Sequence, residues 1–132
     1  LTLRPSVTFD VKRPYAATRP GPFNSQNTFL HRDVLPYYAV LPYVGRMDDI
    51  WASYVLQARL PDCVAYHRAS VFQDRNEQDL VTNLEAEVLG YRHTLAFVDG
   101  NADLTQDCVP EATRAFYRTY RETLDRLATP DA

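Results

Sequence analysis

Apolar residues recur at helical spacing in three stretches of the chain, which predicts three α-helices. The first begins at Asp48 or Asp49 and is stopped by Pro61, with apolar positions at Ile50, Trp51, Tyr54, Val55 and Ala58. The second begins at Glu77 and carries one stripe of Leu80, Leu84, Val88, Tyr91 and Leu95. After a turn at Gly100, the third opens with Pro110 and carries Ala112, Phe116, Tyr120, Leu124 and Leu127.

Shorter apolar stretches predict a few β-strands. Residues 6–11 alternate apolar and polar side chains, and residues 27–31 and 63–67 are two further strand candidates. Residues 13–22 contain three prolines and are expected to form an ordered loop, and Asp33 is expected to cap a short helical turn. Isolated short strands are only marginally stable, so we expect further strands outside this chain to complete the sheet. The predicted fold class is α/β or α+β, with few short strands packed by about three helices.

Composition and charge narrow the classes of function. The 132 residues fit one domain, and a net charge of -3 gives no reason to expect a nucleic-acid partner. No stretch is long and apolar enough to predict a membrane span or a signal peptide, so the sequence predicts a soluble and most simply cytoplasmic chain. The two cysteines, Cys63 and Cys108, are expected to be reduced and buried.

An acid pair at the start of the first predicted helix is the densest chemical signal. Asp48 and Asp49 follow Gly45, Arg46 and Met47. Acidic side chains in a first helical turn stabilise a helix by about 0.3 to 1 kcal/mol, which explains the pair without any catalytic role. The alternative is that one of them is a catalytic carboxylate.

Two other segments carry polar side chains suited to ligands. His67, Arg68 and Ser70 follow a predicted strand, and residues 22–28 form an amide-rich turn that contains Asn24, Gln26 and Asn27. A lone histidine is more often structural than a ligand, and turns attract asparagine for local reasons. Together with the acid pair, however, these segments offer a metal ligand, a phosphate-binding cation and a base, which sugar transfer from a nucleotide diphosphate requires.

These three segments, in this order, resemble the later part of two related groups of glycosyltransferases. They are residues 23–29 (Phe-Asn-Ser-Gln-Asn-Thr-Phe), 45–54 (Gly-Arg-Met-Asp-Asp-Ile-Trp-Ala-Ser-Tyr) and 67–70 (His-Arg-Ala-Ser). The groups are the reversibly glycosylated polypeptides, also known as UDP-arabinopyranose mutases, and the STELLO glycosyltransferases. The resemblance covers about residues 22–98, and residues 45–54 are its most specific part.

The resemblance implies a fold and a division of labour. The chain resembles the acceptor-side, C-terminal half of a GT-A glycosyltransferase, and the nucleotide-binding half with its metal-binding Asp-x-Asp is not in the sequence. A second chain or the missing N-terminal half is therefore an expected partner. The self-glycosylated arginine of the mutases has no counterpart here, which argues against mutase activity.

The resemblance also implies roles for individual residues. Asp49, or less readily Asp48, is the catalytic carboxylate, and His67 is a ligand to Mn²⁺ or Mg²⁺. Arg68 and Ser70 contact the nucleotide diphosphate. Trp51 packs its helix against the sheet, and Arg46 orients the acid pair. The residues implied to lie near the acceptor or the sugar are Asn24, Gln26, Asn27, Arg46 and Trp51.

Three hypotheses follow. The first is metal-dependent glycosyl transfer from a UDP-sugar to a glycan or protein acceptor. The second is a non-catalytic remnant of the same fold that binds a glycan or a partner protein. The third is a structural α/β domain whose match to the glycosyltransferases is fortuitous.

Overall fold

The computed structural model describes residues 13–68, 70–72, 74 and 77–128. This part contains three α-helices: α1 (Asp48–Arg59), α2 (Leu80–Asp99) and α3 (Glu111–Ala128). Three short 3₁₀ turns precede α1: turn 1 (Ser25–Asn27), turn 2 (Arg32–Tyr37) and turn 3 (Gly45–Met47). The helix predicted to begin at Asp48 or Asp49 is thus confirmed. The second helix begins three residues later than predicted, and Pro110 lies immediately before α3 rather than in its first turn.

The core of the molecule is built around α1. Six of its residues are buried, and Trp51 is completely so. The Trp51 ring stacks on Phe97 of α2 with 4.6 Å between ring centroids, and its Nε1 donates to Oγ1 of Thr94 at 2.9 Å. The other members of the buried cluster are Tyr38, Leu41, Val44, Ala52, Val55, Leu56, Ala102 and Val109. Burial of this ring and its paired N–H fixes α2 against α1.

Two glycines allow α2 to lie close to turn 3. Gly45 has a φ of 61°, and a Cβ at this position would lie 2.4 Å from the carbonyl oxygen of Ala86. Gly90 of α2 makes room for the Met47 side chain, whose Sδ would lie 2.2 Å from an added Cβ. Turn 3 is therefore held between α1 and α2, and it sets the direction in which α1 begins.

Helix α3 is held to turn 2 largely by side chains that donate to backbone carbonyls. The Tyr117 hydroxyl donates to the Tyr37 carbonyl at 3.2 Å, and the Tyr120 hydroxyl donates to the Leu35 carbonyl at 2.5 Å. The Arg121 guanidinium lies 4.9 Å from the centre of the Tyr37 ring. The predicted apolar stripe of α3 is only partly buried, since Phe116 and Leu127 are exposed.

The fold-class prediction is wrong for the described part of the chain. Within residues 13–68, 70–72, 74 and 77–128 the elements are helical, and the structure contains no strand or sheet there. Among these residues one β-bridge joins Tyr15 to Tyr66, with backbone N to O distances of 2.9 and 2.7 Å. The described residues therefore do not form a GT-A-like α/β unit. The strand predicted at residues 6–11 lies outside the described residues.

Two of the predicted strands are absent because they lack partners among the described residues. At residues 27–31, the backbone is extended at Thr28 and His31 but pairs with no other segment of the described chain, and the Thr28 hydroxyl closes the preceding turn by donating to the Asn24 carbonyl at 2.5 Å. At residues 63–67, only Tyr66 pairs with another segment of the described chain, through its two backbone hydrogen bonds to Tyr15, and one bridge does not make a strand. Apolar composition alone did not reveal that these stretches lack partners.

None of the helices in the described residues combines the length and apolar character needed to cross a lipid bilayer.

Candidate functional site

A cleft of about 700 Å³ lies between the amide-rich turn and the segment that ends at Ser70. We call it the amide–histidine cleft. Five of the ten predicted site residues line it: Asn24, Asn27, His67, Arg68 and Ser70. The other described residues of its wall are Pro22, Phe23, Thr28, Phe29, Leu30, His31, Val34, Leu56, Cys63, Val64, Ala65 and Tyr66. Two segments about forty residues apart in sequence thus converge on one concave surface.

Turn 1 shapes one wall of the cleft. The side-chain oxygen of Asn24 accepts a hydrogen bond from the Gln26 amide at 3.2 Å and so caps the turn. Gln26 lies within the turn and does not line the cleft. Asn27 follows at the end of the turn, and its side-chain oxygen accepts a hydrogen bond from the Ser70 hydroxyl at 3.3 Å. This last bond ties the two walls together.

The opposite wall carries the cationic and imidazole groups. His67 and Arg68 are both exposed, and Nδ1 of His67 lies 3.3 Å from the Arg68 carbonyl oxygen. Among the described residues, Arg68 makes no salt bridge, so its guanidinium is available to an anionic ligand. His31 adds a second imidazole from the side of turn 2. His31 was not among the predicted site residues, and it lies at the end of the strand predicted at residues 27–31.

Aromatic side chains complete the wall. Phe29 is 90% exposed, and Tyr66 stacks on Tyr15 with 5.5 Å between ring centroids. The prediction that both cysteines are buried is wrong, since Cys63 is exposed and Cys108 is half-buried. Partial desolvation nevertheless raises the pKa of the Cys63 thiol, so the thiol stays protonated at neutral pH. Of the described residues that line the cleft, none is a carboxylate. The cleft can therefore donate hydrogen bonds to phosphate or hydroxyl oxygens and stack against a ring, but this wall contains no carboxylate base.

Asp49 does not line the cleft. It belongs to a row of polar side chains on one face of α1. Oδ2 of Asp49 accepts from the backbone N–H of Ser25 at 2.7 Å and from its hydroxyl at 3.0 Å. Asp48 bonds locally instead, since its Oδ1 accepts from the Asp49 amide at 2.8 Å. The acid pair and the cleft are thus connected through Ser25.

Two further members of the row repeat this pattern at four-residue spacing. Oγ of Ser53 accepts from the Phe23 amide at 3.2 Å, and Gln57 exchanges two hydrogen bonds with Gly21, at 3.2 and 2.8 Å. We call Asp49, Ser53 and Gln57 the α1 polar ladder. Ser53 and Gln57 are buried, so their polar groups need these backbone partners. The spacing of the three side chains was visible in the sequence, but nothing there identified the loop that they bind.

The acid pair also affects Tyr38, which stacks on Phe23 with 5.6 Å between ring centroids. Burial raises the pKa of the Tyr38 hydroxyl, and the negative charges of Asp49 and Asp48 raise it further. The hydroxyl is buried and has no hydrogen-bond partner among the described residues. Tyr38 therefore stays neutral and contributes packing beneath Phe23.

The two remaining predicted residues lie away from the cleft. Nε of Arg46 pairs with Oε1 of Glu87 at 2.9 Å, and its Nη1 donates to the Asn83 side chain at 3.1 Å. These contacts direct Arg46 to α2 rather than to the acid pair. Trp51 is buried in the core against α2, in a region where the described chain has no sheet.

A metal site does not emerge from the described side chains alone. Among residues 13–68, 70–72, 74 and 77–128, no three His, Cys, Asp or Glu side chains are grouped so that they could hold a metal ion. His67 could supply one ligand, with the others coming from a bound diphosphate or from another chain.

A second cavity of about 280 Å³ shares Val64 and Tyr66 with the amide–histidine cleft. Its wall includes Arg19, Gln57 and Asn101. The Gln57 side chain is already bonded to Gly21, whereas the side chains of Thr18, Arg19, Asp62 and Asn101, which also line this cavity, make no hydrogen bond or salt bridge to the described residues.

No family model, no curated protein and no solved structure matches this chain.

Proposed function

We propose that the amide–histidine cleft binds the diphosphate and sugar of a UDP-sugar, and that the chain serves glycosyl transfer in this way. The observation that carries the proposal is the convergence of Asn24 and Asn27 with His67, Arg68 and Ser70 on one cleft, fastened by the bond from Ser70 to Asn27. Amide and hydroxyl groups suit sugar hydroxyls, and a guanidinium suits a diphosphate.

In this proposal His67 would help to hold Mn²⁺ or Mg²⁺ beside the diphosphate. The divalent ion would neutralise charge on the leaving diphosphate, which is the chemistry that a metal supplies in such transfers. Arg68 contributes a second positive charge to the same oxygens. Because His67 is a single ligand, the ion would also need oxygen ligands from the nucleotide or from a partner.

A non-catalytic glycan-binding role is the second candidate, and a specific observation favours it. The carboxylate of Asp49 is engaged by Ser25 and does not line the cleft. The described wall of the cleft contains no carboxylate that could remove a proton from an acceptor. A module of this kind would bind oligosaccharide through the same amides and through Phe29, without requiring a nucleotide.

Isothermal titration with UDP, with and without Mn²⁺, distinguishes the two candidates. We expect metal-enhanced binding of UDP, and we expect Arg68→Gln to weaken it about tenfold to a hundredfold, as loss of a charge-assisted hydrogen bond does. His67→Ala should remove the enhancement by metal while leaving metal-free binding unchanged.

The matched control is Arg19→Gln, which removes an exposed arginine from the wall of the second cavity. It should bind UDP as the unaltered chain does. Binding of oligosaccharide but not of UDP would favour the glycan-binding role. Absence of both, or equal losses in the two arginine variants, would contradict a ligand site in this cleft.

A further inference from the structure

Helix α2 presents an unpartnered apolar seam to solvent. Val81, Leu84, Tyr91 and Leu95 are between 55% and 83% exposed, and Val88 lies half-buried between them. The face of α2 that meets the core is a different one, centred on Gly90 and Phe97. These five residues of the described chain therefore have no role in the packing already described.

The spacing of the seam is that of a coiled coil. Successive members, with Val98 as the sixth, are separated by three, four, three, four and three residues, which is a seven-residue repeat maintained along α2. Such a repeat keeps the apolar residues facing another helix, because two helices can supercoil around each other to follow it. The seam spans about 27 Å at 1.5 Å per residue. The chemistry of this surface thus calls for a helix as its partner.

The order of residues in the seam is nearly palindromic. Read forwards it is Val, Leu, Val, Tyr, Leu, Val, and read backwards it is Val, Leu, Tyr, Val, Leu, Val. If a second α2 lies antiparallel, Val81 faces Val98 of the second copy and Leu84 faces its Leu95. Val88 faces its Tyr91, and the two-fold axis passes between these central layers. A surface that matches itself in this way is the requirement for a two-fold symmetric dimer.

Charges beside the seam agree with the antiparallel alignment. Glu85 and Arg92 flank the same side of the seam, both are exposed, and neither makes a salt bridge within the described part of the chain. In the antiparallel pair, Glu85 of one copy faces Arg92 of the other, and this happens twice by symmetry. In a parallel pair, Glu85 would instead lie beside Leu80 of the second copy.

We propose that this chain forms a two-fold symmetric dimer through the antiparallel pairing of α2. The proposal does not depend on the ligand of the amide–histidine cleft, because none of the seam residues lines that cleft. The expectation that strand edges would recruit another chain is replaced by a helical surface that the structure shows.

Sedimentation equilibrium of the full chain over the micromolar range tests the proposal. We expect a monomer–dimer equilibrium, lost in Leu95→Glu and retained in the matched control Ala96→Glu, which places the same charge on α2 away from the seam. Circular dichroism should show unchanged helix content in both variants, because both side chains are exposed. A chain that stays monomeric at every concentration overturns the proposal.

A charge reversal tests the alignment. Glu85→Arg and Arg92→Glu should each weaken the dimer, because each brings like charges together, and the double variant should restore it. A dimer dissociation constant that is unchanged in Glu85→Arg would overturn the antiparallel arrangement.

Discussion

At the scale of the residue, Asp49 illustrates how one carboxylate can meet a structural need and lie near a candidate site. Its Oδ2 accepts both hydrogen bonds from Ser25, and the next residue towards the N-terminus, Asn24, lines the cleft. Asp49 is therefore a positioning residue in this structure. Its position at the start of a helix predicted that it would meet backbone donors, but the donors come from turn 1 rather than from its own helix.

Substitutions at Asp49 separate charge from hydrogen bonding. In Asp49→Asn the amide oxygen can still accept from the Ser25 N–H, so UDP binding should be retained. In Asp49→Ala the Ser25 donors lose their partner, and we expect UDP binding to weaken about fivefold to tenfold, in line with the net worth of one hydrogen bond of about 1 kcal/mol. Isothermal titration of both variants provides the comparison. Equal binding by Asp49→Ala and the unaltered chain would contradict the positioning role.

At the scale of the element, the contact between turn 3 and α2 depends on Gly45. An alanine there would adopt a left-handed backbone conformation and place its Cβ 2.4 Å from the Ala86 carbonyl oxygen. We expect Gly45→Ala to lower the free energy of unfolding by about 2 kcal/mol or more. Chemical denaturation measures the change.

Gly100→Ala is the matched control for this prediction. Its backbone has an ordinary negative φ, and the added Cβ would meet the end of the Gln106 side chain rather than backbone, at the cost of the bonds from Gln106 Nε2 to the Phe97 and Gly100 carbonyls at 3.0 and 3.4 Å. It should cost clearly less stability than Gly45→Ala. An equal or greater loss in Gly100→Ala would show that the close approach at Gly45 is not the determining contact.

The start of α2 carries a pH-dependent cap. Oδ1 of Asp79 accepts from the amides of Val81 and Thr82 at 2.9 and 3.2 Å, and Oδ2 accepts from the Thr82 hydroxyl at 2.9 Å. The Thr82 amide, followed by the Thr82 hydroxyl and the Val81 amide, holds the pKa of this carboxyl below its ordinary value. The unfolded chain therefore takes up the proton first as the pH falls.

The contribution of Asp79 to stability should thus be present above its ordinary pKa and be lost on acidification through the lowered value. Asp79→Asn keeps an acceptor for the cap but cannot titrate, so its melting temperature should fall less steeply between about pH 5 and pH 2 than that of the unaltered chain. Thermal melts across this range measure the slope. Parallel slopes would exclude Asp79 as a source of the pH dependence.

The elements differ in how far the sequence predicted them. The bounds of α1 follow from local signals, namely the apolar spacing after Asp48 and the stop at Pro61. The structure confirms this helix. The short strands depended on partners that no local pattern identifies. In the described chain, residues 28–31 pair with no other strand, and residues 63–67 pair only through the bridge from Tyr66 to Tyr15. The stripe on α2 was visible in the sequence, but helical spacing alone cannot say whether a stripe faces its own core or another chain.

At the scale of the whole molecule, the described chain presents two separate surfaces on one helical core. The amide–histidine cleft joins turn 1 to the segment around His67, and the α2 seam lies elsewhere on the fold. The sequence predicted most of the polar side chains of the cleft, because their residue types signal ligand chemistry. It did not predict that the acid pair would lie behind the cleft, because this depends on how the α1 polar ladder binds residues 21–25.

The measurement that most directly tests this account is the mapping of UDP and Mn²⁺ onto the chain by nuclear magnetic resonance. We expect the chemical shifts of the Asn24 and Asn27 side-chain amides and of the His67 imidazole to change when UDP is added. The side-chain amide of Gln57, which lines the second cavity, should not shift. Shifts confined to Gln57 and its neighbours, or no shifts at saturating UDP, would contradict the assignment of the amide–histidine cleft as the sugar-nucleotide site.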